Sequence, residues 1–230
     1  MSSTPKYRHG EPVPEELGDE SKEYGATETP RDRIPVRGGL LVGAGAFLLN
    51  VLFAVIMVWT SRRGADSWGD IESPPGVLTE TSWLFLSNHG AELNVGGDVG
   101  SFFGMWSYRI QNMSAAPIYT VFFLGIIVAA GYAVAECVST DSRLERIGGA
   151  LLVVPAYAVG APALSVFATW EPPMDGEERV PELQEITMSA VDAAMFAGIL
   201  VPTVLALLGG CLSVARRAWL QHRQSVAPRE

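Results

Sequence analysis

The chain has 230 residues, of which 48% are hydrophobic and 18% are charged, and its 16 basic and 25 acidic residues give a formal charge of −9. This composition excludes a disordered polymer and a collagen-like repeat. The mean hydropathy is nevertheless positive, at +0.22. A positive mean hydropathy beside so large a net charge indicates that the apolar residues are grouped into blocks.

Four of these blocks have the length of a lipid bilayer, and they predict an all-α integral membrane protein with four transmembrane helices. A helix rises about 1.5 Å per residue, so roughly 20 apolar residues cross the hydrocarbon core. The runs are continuously apolar and lack the alternation of a β-barrel strand. They form a predicted membrane domain of residues 38–214, with spans at residues 38–60, 116–138, 148–169 and 193–214.

The two ends of the chain are polar and are predicted to be tails. Residues 1–37 contain five prolines, mixed charges and little aliphatic periodicity, so we expect a disordered tail. The first apolar block follows this long polar tail and exceeds the apolar core of a secretory signal, so we interpret it as a permanent helix. Residues 215–230 are the predicted C-terminal tail, and its last dozen residues have a similar composition.

Charge predicts the orientation of the spans. Lys and Arg are retained on the cytoplasmic side of a membrane, and basic and acidic residues almost balance in the two tails and the 139–146 link. Acidic residues predominate in the 61–114 segment and the 170–188 loop. We therefore predict a cell-membrane protein with these two segments outside the cell and both termini in the cytoplasm. Arg62 and Arg63, directly after the first span, are the exceptions to this pattern.

The outer segment 61–114 contains the signals of a small extracytoplasmic helix and a β-hairpin. Thr79 to His89 begins with hydroxyl residues that could cap a helix, and Gly90 is a stop signal. The apolar run from Trp83 to Leu86 is expected to rest on the membrane interface. After it, residues 91–95 alternate apolar and polar side chains, and two glycines supply a tight turn, which predicts a hairpin.

Few polar groups lie in or beside the predicted spans. Asn50 is near the middle of the first span, where an unpaired amide is costly, so we expect it to hydrogen-bond to another helix. Glu136 and Asp192 lie near span ends on opposite faces, where headgroup-level solvation accounts for them, and coupled proton transfer is the alternative. Asn112 begins an acceptor sequon for glycosylation on the proposed outer side.

No catalytic, cofactor or metal site is predicted. The chain has three histidines and no Gly-rich phosphate loop, and no nucleophile, base and orienting residue can be combined into a site. His89, Glu92 and Asp98 share one outer segment, but their spacing matches no metal signature, and we expect ordinary hydrogen bonding. The acidic balance also excludes a nucleic-acid-binding surface.

The acidic outer face and the scarcity of lysine indicate a protein adapted to high salt. Residues 38–214 moreover resemble a haloarchaeal family of uncharacterised multi-pass membrane proteins. The resemblance implies the same organism class and four-helix layout, and it carries over no functional residues. It rests on the Gly/Ala-rich first span, the stretch Trp83–His89, a third span with proline and tyrosine, and the run from Gly198–Pro202 to Gly209–Gly210.

From these features we expect a non-enzymatic membrane protein that serves as a structural or interaction subunit of a membrane complex. Its expected partners are the lipid bilayer and either a membrane protein or a second copy of the chain, through the outer helix and hairpin. A small transporter or channel subunit is the alternative, and it would place Asn50, Glu136 or Asp192 along a hydrated path.

Overall fold

The computed structural model describes residues 36–64, 74–96, 98–100, 116–140, 142–172 and 185–226. Within these ranges, four helices are long and apolar enough to cross a membrane. Only about a third of the most apolar stretch of each helix is buried, so the remainder forms an outward apolar surface suited to lipid. These spans are Val36–Arg63, Tyr119–Cys137, Arg143–Ser165 and Ala190–Ser225. The predictions for residues 1–35 and for Asn112 lie outside the described residues.

Two of the spans are single helices and two are composite. The third span consists of α4 (Arg143–Ala150), a 3₁₀ turn and α5 (Val154–Ser165), and the fourth consists of α6 (Ala190–Asp192), a π-helix and α7 (Val201–Val226). The elements are α1 (Val36–Gly64), α2 (Val77–Asn88), β1 (Leu93–Val95), β2 (Asp98–Gly100), α3 (Ala116–Cys137), α4 (Arg143–Ala150), the 3₁₀ turn (Leu151–Val153), α5 (Val154–Ser165), β3 (Ile186–Met188), α6 (Ala190–Asp192), the π-helix (Ala193–Leu200) and α7 (Val201–Val226).

The ends of the third and fourth spans differ from the predicted ones. The third span begins at Arg143, five residues before the predicted start, because the Ser142 hydroxyl accepts the backbone N–H of Glu145 and caps the helix at 3.4 Å. The fourth span continues to Ser225, and its last helix, α7, ends at Val226. Residues 215–226 contain neither Pro nor Gly and have good helix formers, so the helix has no reason to end at the membrane surface.

Each of the two changes of helical pitch lies near a proline. Pro155 has no N–H to donate to the carbonyl of Leu151, and that carbonyl instead accepts from Val154 in the tighter 3₁₀ turn. Pro202 follows the π-helix, in which Val201 donates to the carbonyl of Phe196. In both composite spans the irregular stretch therefore ends two residues before a proline, which has no N–H to donate to the helical ladder.

The four spans alternate in direction, which gives the bundle two different ends. At one end, the close turn between α3 and α4 lies beside the start of α1 and the later turns of α7: Gly39 lies against Leu152, and Gly210 against Ile147. We call this the hairpin end. The opposite end carries the strands and is called the sheet end.

The sheet end is covered by three short antiparallel strands in the order β2, β1, β3. Leu93 of β1 lies opposite Gly100 of β2 on one side and Met188 of β3 on the other. Gly96 has a positive φ of 61°, which allows the turn between β1 and β2. The sheet therefore joins the segment between the first two spans to the segment between the last two.

Helix α2 packs into the bundle with its apolar run buried. Trp83, Phe85 and Leu86 are at most 1% exposed, and the indole N–H of Trp83 donates to the carbonyl of Ala168 at 2.7 Å. The expectation that this run rests on the membrane interface is wrong. The physical reason is that the sheet-end halves of the first, third and fourth spans leave apolar surface that α2 covers.

Glycines let the helix backbones touch and so help to hold the bundle together. A Cβ on Gly131 of α3 would lie 2.6 Å from the carbonyl oxygen of Ala206, and one on Gly43 of α1 would lie 2.8 Å from the Cα of Val153. Association of helices in lipid depends on such close packing, since lipid tails provide no hydrophobic drive. These contacts cannot accept a methyl group without a shift of backbone.

Replacing Gly131 with alanine is therefore expected to lower the stability of the bundle by about 1–3 kcal/mol, in the range of overpacked cores. The matched control is Gly125 on the same helix, where an added Cβ meets no atom within 4 Å. Thermal unfolding in a mild detergent measures both variants. Equal midpoints for Gly131→Ala and Gly125→Ala would contradict the close approach of α3 and α7.

Candidate functional site

Helix α2 carries polar side chains into the bundle by bonding them to its own backbone. The hydroxyls of Thr81 and Ser82 donate to the carbonyls of Val77 and Leu78, at 2.7 and 2.9 Å. Toward the end of the helix, the hydroxyl of Ser87 donates to the Trp83 carbonyl at 2.6 Å. Each group lies four residues after its acceptor, a local bond that satisfies a hydroxyl without a partner helix. The helix begins at Val77, two residues before Thr79. The hydroxyl residues therefore lie within the helix and do not cap its start, contrary to the prediction from the sequence.

The end of α2 places His89 inside the bundle. Gly90, with φ of 87°, donates to the Ser87 carbonyl, and Ala91 donates to the Leu86 carbonyl, both at 3.0 Å. These paired bonds are a Schellman motif, which closes a helix with glycine in the left-handed conformation. Gly90 therefore ends the helix and leaves His89, the last residue before it, fully buried.

A buried polar cluster forms where α2 meets the spans. The side-chain amide of Asn50, fully buried in α1, donates to the backbone carbonyl of Phe123 at 3.2 Å and to the hydroxyl of Tyr157 at 2.8 Å. One amide thus connects the first, second and third spans. Each interhelical bond of this kind contributes about 0.6 kcal/mol and at most about 1.7 kcal/mol in membranes. The buried polar cluster is defined here as Asn50, His89 and Tyr157.

Aromatic rings surround His89 in this cluster. Its ring lies 4.4 Å from that of Phe85, 5.9 Å from that of Phe123 and 6.0 Å from that of Tyr157, measured between centroids. The Nδ1 atom donates to the carbonyl of Phe85 at 2.7 Å, since a carbonyl can only accept. Burial lowers the pKa of His89 to about 4, against the weaker opposing effect of this hydrogen bond. The ring is therefore neutral at pH 7, with its proton on Nδ1.

Two acceptor atoms of the cluster have no hydrogen-bond partner among the described residues. They are Oδ1 of Asn50 and Nε2 of His89, and both are buried. An unsatisfied buried acceptor costs about 1–3 kcal/mol, so each is a place where a small hydrogen-bond donor is favoured. The cluster can accept hydrogen bonds or a proton, and it holds no charge of its own.

A second polar group joins α3 to α7 at the hairpin end. The carboxylate of Glu136 accepts from the guanidinium of Arg217 at 2.9 Å and from the hydroxyl of Ser213 at 3.0 Å. Arg216 lies farther from the same carboxylate, at 3.6 Å. This Glu136 cluster is thus an ion pair with a supporting hydrogen bond, which fastens the last turn of the second span to the fourth.

At the sheet end, Arg62 pairs with the buried carboxylate of Glu80. The Nε atom of Arg62 lies 3.1 Å from Oε2 of Glu80, and its Nη2 donates to the carbonyl of Pro75. The pair ties the end of α1 to the beginning of α2. It also accounts for one of the two arginines that depart from the charge pattern of the sequence, because the charge of Arg62 is neutralised locally.

The family model for DUF7978, described as a family of unknown function, matches residues 19–217. The chain belongs to this family. The match spans the first three membrane helices, the three segments between the spans, and the fourth helix up to Arg217. Neither the curated proteins nor the solved structures contain a significant match to the chain.

Membership of DUF7978 supplies no chemistry, so the positions of the predicted residues come from the geometry alone. Asn50 bonds two other spans, and Glu136 pairs with the fourth span in addition to any headgroup solvation. Asp192 lies at the other end of the bundle, in a turn where its backbone N–H donates to the Ser189 hydroxyl at 3.3 Å. The structure therefore places these three residues in three separate surroundings and brings no two of them together.

Several residues of the two clusters were not singled out by the sequence. The sequence identifies Tyr157 only as a tyrosine of the third span, and it predicts ordinary hydrogen bonding for His89 in the outer segment. Arg217 could have been found, because an acid at the end of one span and a base at the same end of another attract each other. Among the described residues, no group of three or more His, Cys, Asp or Glu side chains could hold a metal ion.

The buried neutral ring of His89 predicts a pH dependence of stability. The pKa of His89 falls from 6.5 to about 4 on folding, so the unfolded chain binds more protons between these values. The free energy of unfolding therefore has its full value above pH 6.5. It decreases as the pH falls toward 4, by at most about 1.4 kcal/mol per pH unit. Unfolding midpoints between pH about 7 and about 5 measure this slope.

The variant His89→Phe is expected to be less stable overall but to lose this one-proton slope, because it cannot titrate. His222, exposed near the end of α7, provides the control, and His222→Gln should keep the slope of the parent. A parent protein with the same pH profile as His89→Phe would show that His89 is not buried in the neutral form.

Proposed function

We propose that this member of DUF7978 is a non-enzymatic membrane protein that acts as an interaction subunit of a membrane complex. The observation that carries the proposal is the sheet at one end of the bundle. Two separate inter-span segments supply its strands, β1 and β2 from one and β3 from the other. Crossing a membrane does not require such a joint structure, whereas a recognition surface requires a fixed shape.

The underside of the sheet is fastened to the bundle. Leu93, Ile186 and Met188 are at most 6% exposed. Trp170, which precedes β3 in the chain, forms two backbone hydrogen bonds of 2.9 Å with Ile186 of β3. The turn is held as well, since Gly96 donates to the carbonyl of Glu185 at 2.9 Å. These contacts favour a rigid platform that presents the exposed side chains of Glu92 and Glu185 away from the spans.

Polar contacts that join helices to one another support the same role. Asn50, Glu136 and Glu80 each hold two or more helices in fixed positions. A scaffold that presents a surface to a partner benefits from such rigidity, because less freedom is lost on binding. The partner is proposed to be another membrane protein or a second copy of the chain.

We further propose that the protein lies in the cell membrane, with the hairpin end facing the cytoplasm and the sheet end facing outward. Support comes from the arginines at the hairpin end, among them Arg37, Arg143 and Arg217, and from the acids Glu92 and Glu185 at the sheet end. The acidic outer face and the resemblance to haloarchaeal proteins support an origin in a salt-adapted cell.

Cysteine labelling tests orientation and partner together. We expect Glu185→Cys, in intact cells, to react with a membrane-impermeant bifunctional reagent and to be cross-linked to a protein of discrete mass. The native Cys137 and Cys211 are free and exposed toward the hairpin half of the bundle, so the parent chain serves as the control that does not react. A monofunctional form of the reagent separates labelling from cross-linking.

Two outcomes would contradict the proposal. Labelling of the parent chain as strongly as Glu185→Cys would overturn the orientation. Labelling of Glu185→Cys without any cross-linked protein, repeated at Glu92→Cys, would overturn the role of the sheet end as an interaction surface.

A second candidate function is a small transporter or channel subunit. It is supported by the two unpaired acceptors of the buried polar cluster, Oδ1 of Asn50 and Nε2 of His89. Polar atoms inside a membrane bundle mark transport and proton pathways in many proteins. The neutral His89 ring can take up a proton at Nε2, so the proton is the first probe to try.

Proton flux into liposomes distinguishes the two functions. If the chain conducts protons, the parent protein should dissipate an imposed pH gradient faster than empty liposomes, and Asn50→Leu and His89→Phe should remove most of this rate. Glu92→Gln, on the exposed sheet surface, is the matched control and should conduct as the parent does. Equal rates for the parent and for empty liposomes would exclude this second function for protons.

A further inference from the structure

The fourth span continues past the end of the bundle and carries an exposed stripe on one face. Leu208, Leu212, Arg216, Trp219 and Arg223 follow one another at spacings of four, four, three and four residues, which places them on one side of α7. Leu208 and Leu212 are each 49% exposed and Trp219 is 53% exposed. We call these five residues the α7 stripe.

The stripe changes character along its length at the hairpin end. Its first two residues belong to the outward apolar surface of the fourth span. Arg216 lies level with Glu136, the penultimate residue of α3, and therefore with the end of the second span. Trp219 and Arg223 lie one and two turns beyond it, at roughly 4 and 10 Å along the axis. That distance corresponds to the headgroup layer, which adds several ångströms to each side of the hydrocarbon core.

Ion pairs with other described residues do not fully neutralise the positive charge of the stripe. Arg217 makes the close bonds to the Glu136 carboxylate, at 2.9 Å, whereas Arg216 is 3.6 Å away and its side chain is 55% exposed. Among the described residues, the carboxylate of Glu136 pairs with Arg216 and Arg217, and Arg223 forms no salt bridge, so this end of α7 is positive. The chain carries a formal charge of −9, so this surface is opposite in sign to the net charge.

Trp219 adds a preference for the membrane interface. The guanidinium of Arg223 lies over the Trp219 ring, 4.1 Å from its centroid, and this contact holds the cation beside the indole. Tryptophan is enriched at headgroup level, where its ring contacts apolar chains and its N–H contacts polar groups. Along α7 the stripe therefore offers, in order, two leucines, a cation, an aromatic ring and a second cation.

We propose that the α7 stripe is a binding site for an anionic phospholipid. The headgroup phosphate lies between Arg216 and Arg223, and an acyl chain lies along Leu212 and Leu208. Guanidinium groups match phosphate oxygens in charge and geometry, and the apolar track matches a chain. Because the stripe is at the hairpin end, this proposal is independent of the partner surface proposed at the sheet end.

Native mass spectrometry of the full-length protein in mild detergent tests the site. The probes are phosphatidylglycerol, which is anionic, and phosphatidylcholine, which has no net charge. We expect tighter binding of phosphatidylglycerol to the parent, and a loss of about tenfold or more in Arg216→Gln/Arg223→Gln, since each arginine near a lipid surface contributes about 1 kcal/mol. The single variant Arg223→Gln leaves the Glu136 cluster intact and should lose a smaller part.

The bundle contains a matched control at its other end. Arg63 lies over the ring of Trp59 at 3.5 Å, the same pairing of cation and indole without a second exposed arginine in a stripe. Arg63→Gln should bind phosphatidylglycerol as the parent does, and Arg216→Lys/Arg223→Lys should retain most of the binding. These variants distinguish the proposed site from a general attraction of lipid to surface charge.

Several results would overturn the proposal. They are equal binding of the two lipids by the parent, an equal loss in Arg63→Gln, and unchanged binding in both Arg223→Gln and the double variant. Complete displacement of phosphatidylglycerol by inorganic phosphate at similar concentration would show an anion site that does not read the lipid chains. Cross-linking of Trp219 to a protein, with no lipid bound, would assign the stripe to a protein partner instead.

Discussion

A polar group that enters the apolar interior of this bundle can hydrogen-bond only to another part of the protein, because lipid offers neither donors nor acceptors. Helix α2 meets this constraint with bonds from its own side chains to its own backbone, and Asn50 meets it with bonds to two neighbouring spans. The charged groups meet it in pairs, Arg62 with Glu80 and Arg217 with Glu136. The positions of the helices follow from where these partners lie.

Two kinds of contact fix the bundle, and they act at different depths. Toward the hairpin end, glycines let the backbones of α3 and α7 meet directly, as at Gly131. Toward the sheet end, aromatic rings fill the wider space, with Phe47 edge-on to Phe85 at 5.3 Å and to Tyr157 at 5.4 Å. Such edge-to-face pairs contribute about 0.5–1.5 kcal/mol beyond their buried area. Small residues and large rings therefore make the helix contacts at different levels of the bundle axis.

The sequence predicted the four spans because their hydrophobicity is a property of each segment by itself. The same holds for the turn at Gly90, where only a residue tolerant of positive φ fits. The burial of Trp83 and the position of β3 could not be predicted, since both depend on surfaces contributed by residues far apart in the chain. Likewise, Asn50 was recognisable as a polar residue that needs a partner, but its partners Phe123 and Tyr157 are distant in sequence, and only the packing of three spans brings them together.

The placement of α2 has a consequence for the lipid around the protein. Near the sheet end, a cross-section through the described residues cuts five helical segments, whereas near the hairpin end it cuts the four spans, drawn together by glycine. At the sheet end, the first, third and fourth spans therefore turn part of their apolar surface toward α2, and a lipid chain cannot reach that part.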